Sequence, residues 1–239
     1  MRRRVQGFLM RGATASATMA LLLVASAAPA HQARSDWTER FGVEAKELVS
    51  SGRNPFFVLE AGYRLVLTHE DEQLAVTVLA ETKVVDGVET RVVEERETKG
   101  GALVEVSRNY FAISNRTNAV FYFGEDVDTY KAGKVVNHEG SWTSGTSGAR
   151  YGLMMPGTPL LHGRYYQELA PKIAMDRAEI VSMSERVTTP SGAYIEALKI
   201  EETSPLEPGL REYKLYARGV GLVQDGDFKL VRTERVSPR

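Results

Sequence analysis

From Tyr63 onward the chain alternates apolar and polar residues with a period of two, and short turn sequences interrupt the alternation at regular intervals. Tyr63, Leu65 and Leu67 fall on one side of such a run, and Leu74, Val76 and Val78 on one side of the next. A period of two sends successive side chains to opposite faces of a strand. Between the runs stand Asp86-Gly87, Gly100-Gly101, Asn115–Asn118, Pro190–Gly192, Pro208-Gly209 and Asp225-Gly226. Asp-Gly is the strongest of these, because both central residues of a tight hairpin turn need positive φ. Strands joined in sequence by tight turns make an antiparallel meander that buries one face of each strand. About ten or eleven strands are too many for a flat, twisted sheet. The expectation is a mainly β fold: a single strongly curved antiparallel sheet or partial barrel.

Two segments break the pattern. Asp36-Trp37-Thr38-Glu39 has the form of a helix-opening capping box, and Trp37, Phe41, Ala45 and Leu48 then fall near one helical face, with Gly52 as the stop. The spacing predicts an N-terminal helix over 36–51, laid on the sheet. Before it, Arg2, Arg3, Arg4 and Arg11 precede the apolar run Met19–Val24 and the small residues Ala28-Pro29-Ala30. This predicts a signal peptide over residues 1–30, removed from a mature single β-rich domain of residues 31–239, which is then secreted or periplasmic and has no transmembrane segment. The chain has no cysteine, which excludes disulfides, thiolate metal sites and a lipid-modified cysteine anchor. Removing four signal arginines from the 30 basic side chains leaves 26 against 31 acidic ones, a formal charge of about −5. That balance points away from nucleic acid and anionic surfaces as partners.

The residues that could carry chemistry gather between Asn118 and Ala170. The segment from His138 to Gly163 is rich in glycine and shows no periodicity, yet holds Trp142, Tyr151, Leu153, Met154, Met155, Leu160 and Leu161. A long loop in a compact domain is usually functional or disordered, and these apolar residues argue for burial. The loop is therefore expected over the mouth of the sheet, as core filling or as the lining of a pocket. Methionines suit a pocket for variable apolar shapes, because they repack easily. With Tyr122, Tyr165 and Glu168, these residues form the candidate ligand-binding set. Glu125, Asp126 and Asp128 crowd one turn and could offer oxygen ligands to calcium, although acidic turns are more commonly just solvated. Glu168, in Tyr165-Tyr166-Gln167-Glu168, could act as an acid or base beside a second carboxylate; a buried, hydrogen-bonded glutamate is the commoner case. His69, His138 and His162 lack the spacing of a metal pair. No serine sits in a nucleophile elbow, and no Gly-Lys-Ser/Thr makes a phosphate cradle. No other cofactor is implied.

Asn54-Pro55-Phe56-Phe57, Thr82–Val88, Phe121-Tyr-Phe-Gly-Glu-Asp-Val127, Gly140-Ser141-Trp142, Met155-Pro156 and Tyr166-Gln167-Glu168 together resemble a family of secreted bacterial proteins of uncharacterised function. The resemblance runs from about Asn54 to about Val181 and implies no activity. The chain departs from that pattern at Lys172, where a glycine after Pro171 is usual. Its end, Tyr216-Ala217-Arg218-Gly219-Val220-Gly221-Leu222-Val223, is similar to that of periplasmic lipoprotein carriers of the LolA/LolB type. That similarity implies a curved sheet; acyl-chain binding would follow only by analogy.

These observations lead to one functional expectation and two alternatives. The leading one is an exported, non-catalytic binding protein for an apolar or amphipathic, lipid-like ligand. The alternatives are a hydrolase or isomerase that uses Glu168 with the Glu125–Asp128 turn, and a structural partner in the cell envelope.

Overall fold

The computed structural model describes residues 36–237; the predicted signal peptide lies outside them. Short strands β1 (Leu48–Val49), β2 (Gly52–Asn54) and β3 (Phe57–Leu59) come first. Then follow long hairpin-linked strands: β4 (Tyr63–His69), β5 (Glu72–Val85), β6 (Val88–Lys99), β7 (Ala102–Ser114) and β8 (Val120–Lys131). Short strands return with β9 (Lys134–Asn137), β10 (Trp142–Thr143), β11 (Arg150–Met155), β12 (Arg164–Tyr166) and β13 (Glu168–Leu169). The chain closes with β14 (Arg177–Thr189), β15 (Gly192–Ser204), β16 (Glu207–Ala217), β17 (Gly221–Asp225) and β18 (Phe228–Arg235).

All but the β2–β3 hairpin belong to one sheet of sixteen strands, ordered β12-β14-β15-β16-β17-β18-β4-β5-β6-β7-β8-β11-β13, with β1 on β7 and β9 and β10 on β8. The two ends of that order, β12 and β13, are consecutive pieces of chain separated by Gln167 alone. β12 pairs with β14 on one side, and β13 pairs with β11 on the other. The sheet therefore curls into a nearly closed barrel with its seam at Gln167, and the curvature expected from the strand count is realised. Closure removes the exposed edges that invite aggregation.

The turns form where the sequence places them, with one shift. Asp86 and Gly87 take φ of 51° and 75°, as the hairpin demands. The turn between β15 and β16 sits at Pro205-Leu206, whereas Pro208-Gly209 lies inside β16.

The helix expected over 36–51 does not form. That stretch holds a single 3-10 turn, Ala45–Glu47, and then β1, paired with β7. Tertiary contacts override the capping box. Thr38 N–H donates to the Arg164 carbonyl at 3.0 Å, and Tyr166 N–H donates to the Thr38 carbonyl at 2.9 Å. The guanidinium of Arg177 lies 4.6 Å from the centre of the Trp37 ring, and that of Arg164 lies 5.6 Å away. A helix would give up this edge pairing and these cation–π contacts.

The stretch expected as a lid over the mouth is partly sheet, since it supplies β10 and β11. Some of its glycines serve close packing. A Cβ on Gly152 would stand 2.4 Å from the Gln167 backbone, and one on Gly157 would stand 1.8 Å from the Thr117 carbonyl. Only glycine lets the seam chain cross β11 that closely.

Apolar clusters among the described residues hold the barrel. One joins Leu65, Leu67, Leu74, Leu215, Val223, Phe228 and Leu230. Another joins Val85, Val92, Tyr110, Ala112, Phe121 and Phe123, and the N-terminal residues Phe41, Val43 and Leu48 pack against it. Each buried large side chain contributes about 1.5–3 kcal/mol. Period two places Asn109 and Phe111 on the face of β7 opposite Tyr110 and Ala112. That second face carries the candidate site.

Candidate functional site

A cavity of about 60 Å³ is lined by residues of β3 to β7, β11, β16 and β17, strands from both halves of the sheet, so it lies within the curve. Val58, Leu65, Val76, Val78, Val93, Phe111, Met154 and Leu222 make most of its wall, and Glu95, Lys214 and Asp225 give it a polar part.

Beside it lies a buried polar cluster. Lys214 Nζ sits 2.9 Å from Glu202 Oε2, with both side chains almost wholly enclosed. Gln167 Nε2 donates to Glu202 Oε1 at 2.9 Å, and it also meets Met154 Sδ at 3.7 Å. Gln167 thereby ties the seam to the cavity wall. Burial alone would lower Lys214, but Glu202, Asp225 and Tyr216 outweigh it and hold the ammonium well above its usual pKa. Asp176 is raised by burial and then by Glu202, while a Ser204 hydrogen bond and Lys214 act against the rise.

Glu168 is fully buried, and no amide, ammonium or hydroxyl donor meets either of its carboxylate oxygens. Burial first, then the neighbouring Asp176 and Glu125 carboxylates, push its pKa well above the ordinary range. Glu125 is pushed up to about 7, chiefly by burial, with Glu95 and Glu105 adding to the rise and the Tyr122 hydroxyl partly offsetting it. Tyr122 donates to Asn109 Oδ1 at 2.6 Å, and burial raises its own pKa well above the usual value. Tyr165 is buried with its hydroxyl unpartnered.

The structure brings the expected ligand-binding residues together only in part. Met154 lines the cavity. Tyr122 stacks on Phe111, a wall residue, with ring centres 4.8 Å apart. Trp142 meets the edge of Tyr122 at 5.3 Å and borders a separate outer groove of about 280 Å³ with Asp126, Thr146 and Ile173. Tyr151 stacks on Phe123 at 4.7 Å, and both Tyr151 and Leu153 pack on the second apolar cluster, away from the cavity. Met155 is fully buried. Glu168 and Tyr165 belong to the polar interior.

The three carboxylates expected to share a metal are separated. Glu125 faces the interior, whereas Asp126 is largely exposed, accepts a hydrogen bond from the Tyr110 hydroxyl and pairs with Lys83 at 3.1 Å. Asp128 pairs with His138 Nδ1 at 2.8 Å. Alternation along β8 divides the trio between the two faces. Among the described residues no group of three or more histidines or carboxylates is placed to hold a metal ion.

The sequence reading passed over Asp176, Glu202, Lys214, Asn109 and Gln167. A signal for two of them was present. Glu202 follows Leu198 and Ile200 in phase and precedes Ser204, and Lys214 is in phase with Tyr216; all of these are buried. A charged residue at the apolar phase of a strand marks an inward polar group.

Fold and site together define a barrel-like β protein with an apolar internal cavity against a buried, acid-rich polar cluster. Comparison with family models, with curated proteins and with solved structures finds no match. Among the described residues no helix is long and apolar enough to cross a membrane, a statement that leaves strands aside.

Proposed function

We propose that this is an exported, non-catalytic binding protein whose ligand is apolar or amphipathic and sits within the barrel. The observation that carries the reading is the cavity itself: an apolar wall with a methionine in it, closed on one part by charged groups. Binding sites of this kind are mostly apolar with a few placed polar groups that set orientation. The cavity holds only a handful of waters at about 60 Å³, so a lipid-sized occupant requires a wall to yield. β11 suits that role. Its pairing with β8 spans few residues and slips between Leu153 and Met155.

Native mass spectra of protein isolated without detergent test the reading. The expected result is an added mass, lost on denaturation, together with a change in Trp142 fluorescence when apolar probes are added. A bare mass and an unchanged Trp142 signal across such probes would overturn it.

A second reading, acid–base catalysis by Glu168 with Glu125, draws support from their mutual proximity and raised pKa values, which suit a general acid. It requires a substrate to reach a fully enclosed carboxylate. It predicts a reaction abolished by Glu168→Gln.

A further inference from the structure

We infer that the molecule bound in the interior is positively charged at its polar end, an amine or comparable cation, received by the buried carboxylates Glu168 and Glu125 and the partly buried Asp176. The inference rests on the reading of the interior as a binding site and adds the chemistry of the head group.

Glu125, Glu168, Asp176 and Glu202 share the interior with the ammonium of Lys214, which Glu202 already takes at 2.9 Å and Asp225 reinforces. Lys214 is therefore not free to capture an anion. Glu168 stands apart from this pair, fully buried, with no amide, ammonium or hydroxyl donor at either oxygen. What approaches it is the Asp176 carboxyl, which shares a single hydrogen bond with it, and behind that the Glu125 carboxylate. Two acids in this position hold protons in place of charge. One shared proton leaves the pair's remaining oxygens without donors, and a charged donor relieves that cost more than a neutral one does.

The cluster meets the cavity at Gln167 and Lys214. Gln167 touches Met154 of the wall and Glu202 of the cluster, and Lys214 lines the cavity directly. A molecule with its apolar body against Val78, Phe111 and Met154 thus points its other end toward acids. A carboxylate head would add an anion to them. An alcohol would satisfy one acceptor and leave the acids protonated. An ammonium supplies donors and charge together, and its arrival expels protons from Glu168 and its neighbours, whose pKa values burial has raised.

Three eight-carbon probes that differ only in head group provide the test: octylamine, octanol and octanoate, titrated calorimetrically at pH 7 into wild-type protein and into Glu168→Gln. The wild type is expected to bind octylamine at least tenfold more tightly than octanol and octanoate most weakly, with proton release seen as a buffer-dependent heat. In Glu168→Gln the amine preference falls below threefold. Should that variant lack the wild-type circular dichroism spectrum, Asp176→Asn is read in its place, with the same loss of preference expected. An amine bound no better than octanol, or octanoate bound as tightly as the amine, overturns the cationic assignment while leaving the binding reading intact. Failure of all three probes to bind overturns both.

Discussion

Glu125→Gln separates the cost of a buried charge from every other feature of the interior. The glutamine keeps the shape of a protonated glutamate and cannot ionise. In the folded protein burial lifts Glu125 from an ordinary 4.5 to about 7. At about 1.36 kcal/mol for each pH unit, keeping Glu125 ionised in the fold costs roughly 3 kcal/mol. Below about pH 4.5 the group is protonated in both folded and unfolded chains, and the penalty is absent. As pH rises from there toward 7, the unfolded chain gives up its proton first, the folded state binds more protons, and stability falls. Above 7 the full penalty applies. The variant should therefore match the wild type near pH 4 and exceed it by roughly 3 kcal/mol at pH 8.5. Urea unfolding at the two pH values measures this. With a slope of about 2 kcal/mol per molar urea, the midpoint gap should open from near zero to about 1.5 M. Glu168 and Asp176 also contribute to the wild-type slope, so the informative quantity is the difference between the two proteins. A gap of equal size at both pH values would refute the reasoning, since it would show that Glu125 does not titrate against a folded-state penalty.

Three further outcomes follow from the same geometry. Lys214→Met leaves Glu202 buried without its ammonium and should cost about 3–5 kcal/mol, whereas adding Glu202→Leu in the same chain should recover most of that loss, because an apolar pair can replace a buried ion pair; urea midpoints of the two single variants and the double variant decide it, and additive losses would contradict it. Gly152→Ala sets a methyl 2.4 Å from the Gln167 backbone, so it should destabilise by about 3 kcal/mol or more, and amide exchange should rise first at the seam, on residues 164–169. Lys172 holds φ of 68° in the turn closed by Ala170 and Ala174. Lys172→Gly removes a left-handed penalty of about 1–2 kcal/mol against a smaller entropic loss, for a net gain of about 0.5–1 kcal/mol, read as a raised thermal midpoint.

Much of the barrel was legible because strand pairing here is local. Asp86-Gly87 and Pro190-Ser191 each join strands that are neighbours in both chain and sheet, and the alternation of Tyr63, Leu65 and Leu67 states which face turns inward. Lys172, a lysine where the resemblance puts glycine, argued against a tight turn at that point; the turn forms all the same, with Lys172 in the left-handed conformation that glycine favours. The N-terminal stretch misled for a physical reason. A capping box with an apolar stripe reports only local preference, worth about 1 kcal/mol or so, while Thr38 and Trp37 gain partners from Arg164, Tyr165 and Arg177, more than a hundred positions away. The candidate site was half legible. Glu168 stood out as a polar residue in an aromatic strand, but Asp126 and Asp128 drew attention by crowding in sequence beside Glu125, and on a strand the alternation sends them to the face opposite Glu125.

What the sequence determined by itself is the material of a curved antiparallel sheet, written as periodicity and turns, since each hairpin encodes its own register within a few residues. Where that sheet closes was decided only in three dimensions. Gln167 marks the seam because β12 finds β14 on one side and β13 finds β11 on the other, and Gly152 lets the chain pass. The same closure gathers Glu125, Glu168, Asp176, Glu202 and Lys214 from four strands and one connecting segment into one volume. Their altered acidities arise there, because burial and mutual repulsion depend on distance through space and not on separation along the chain.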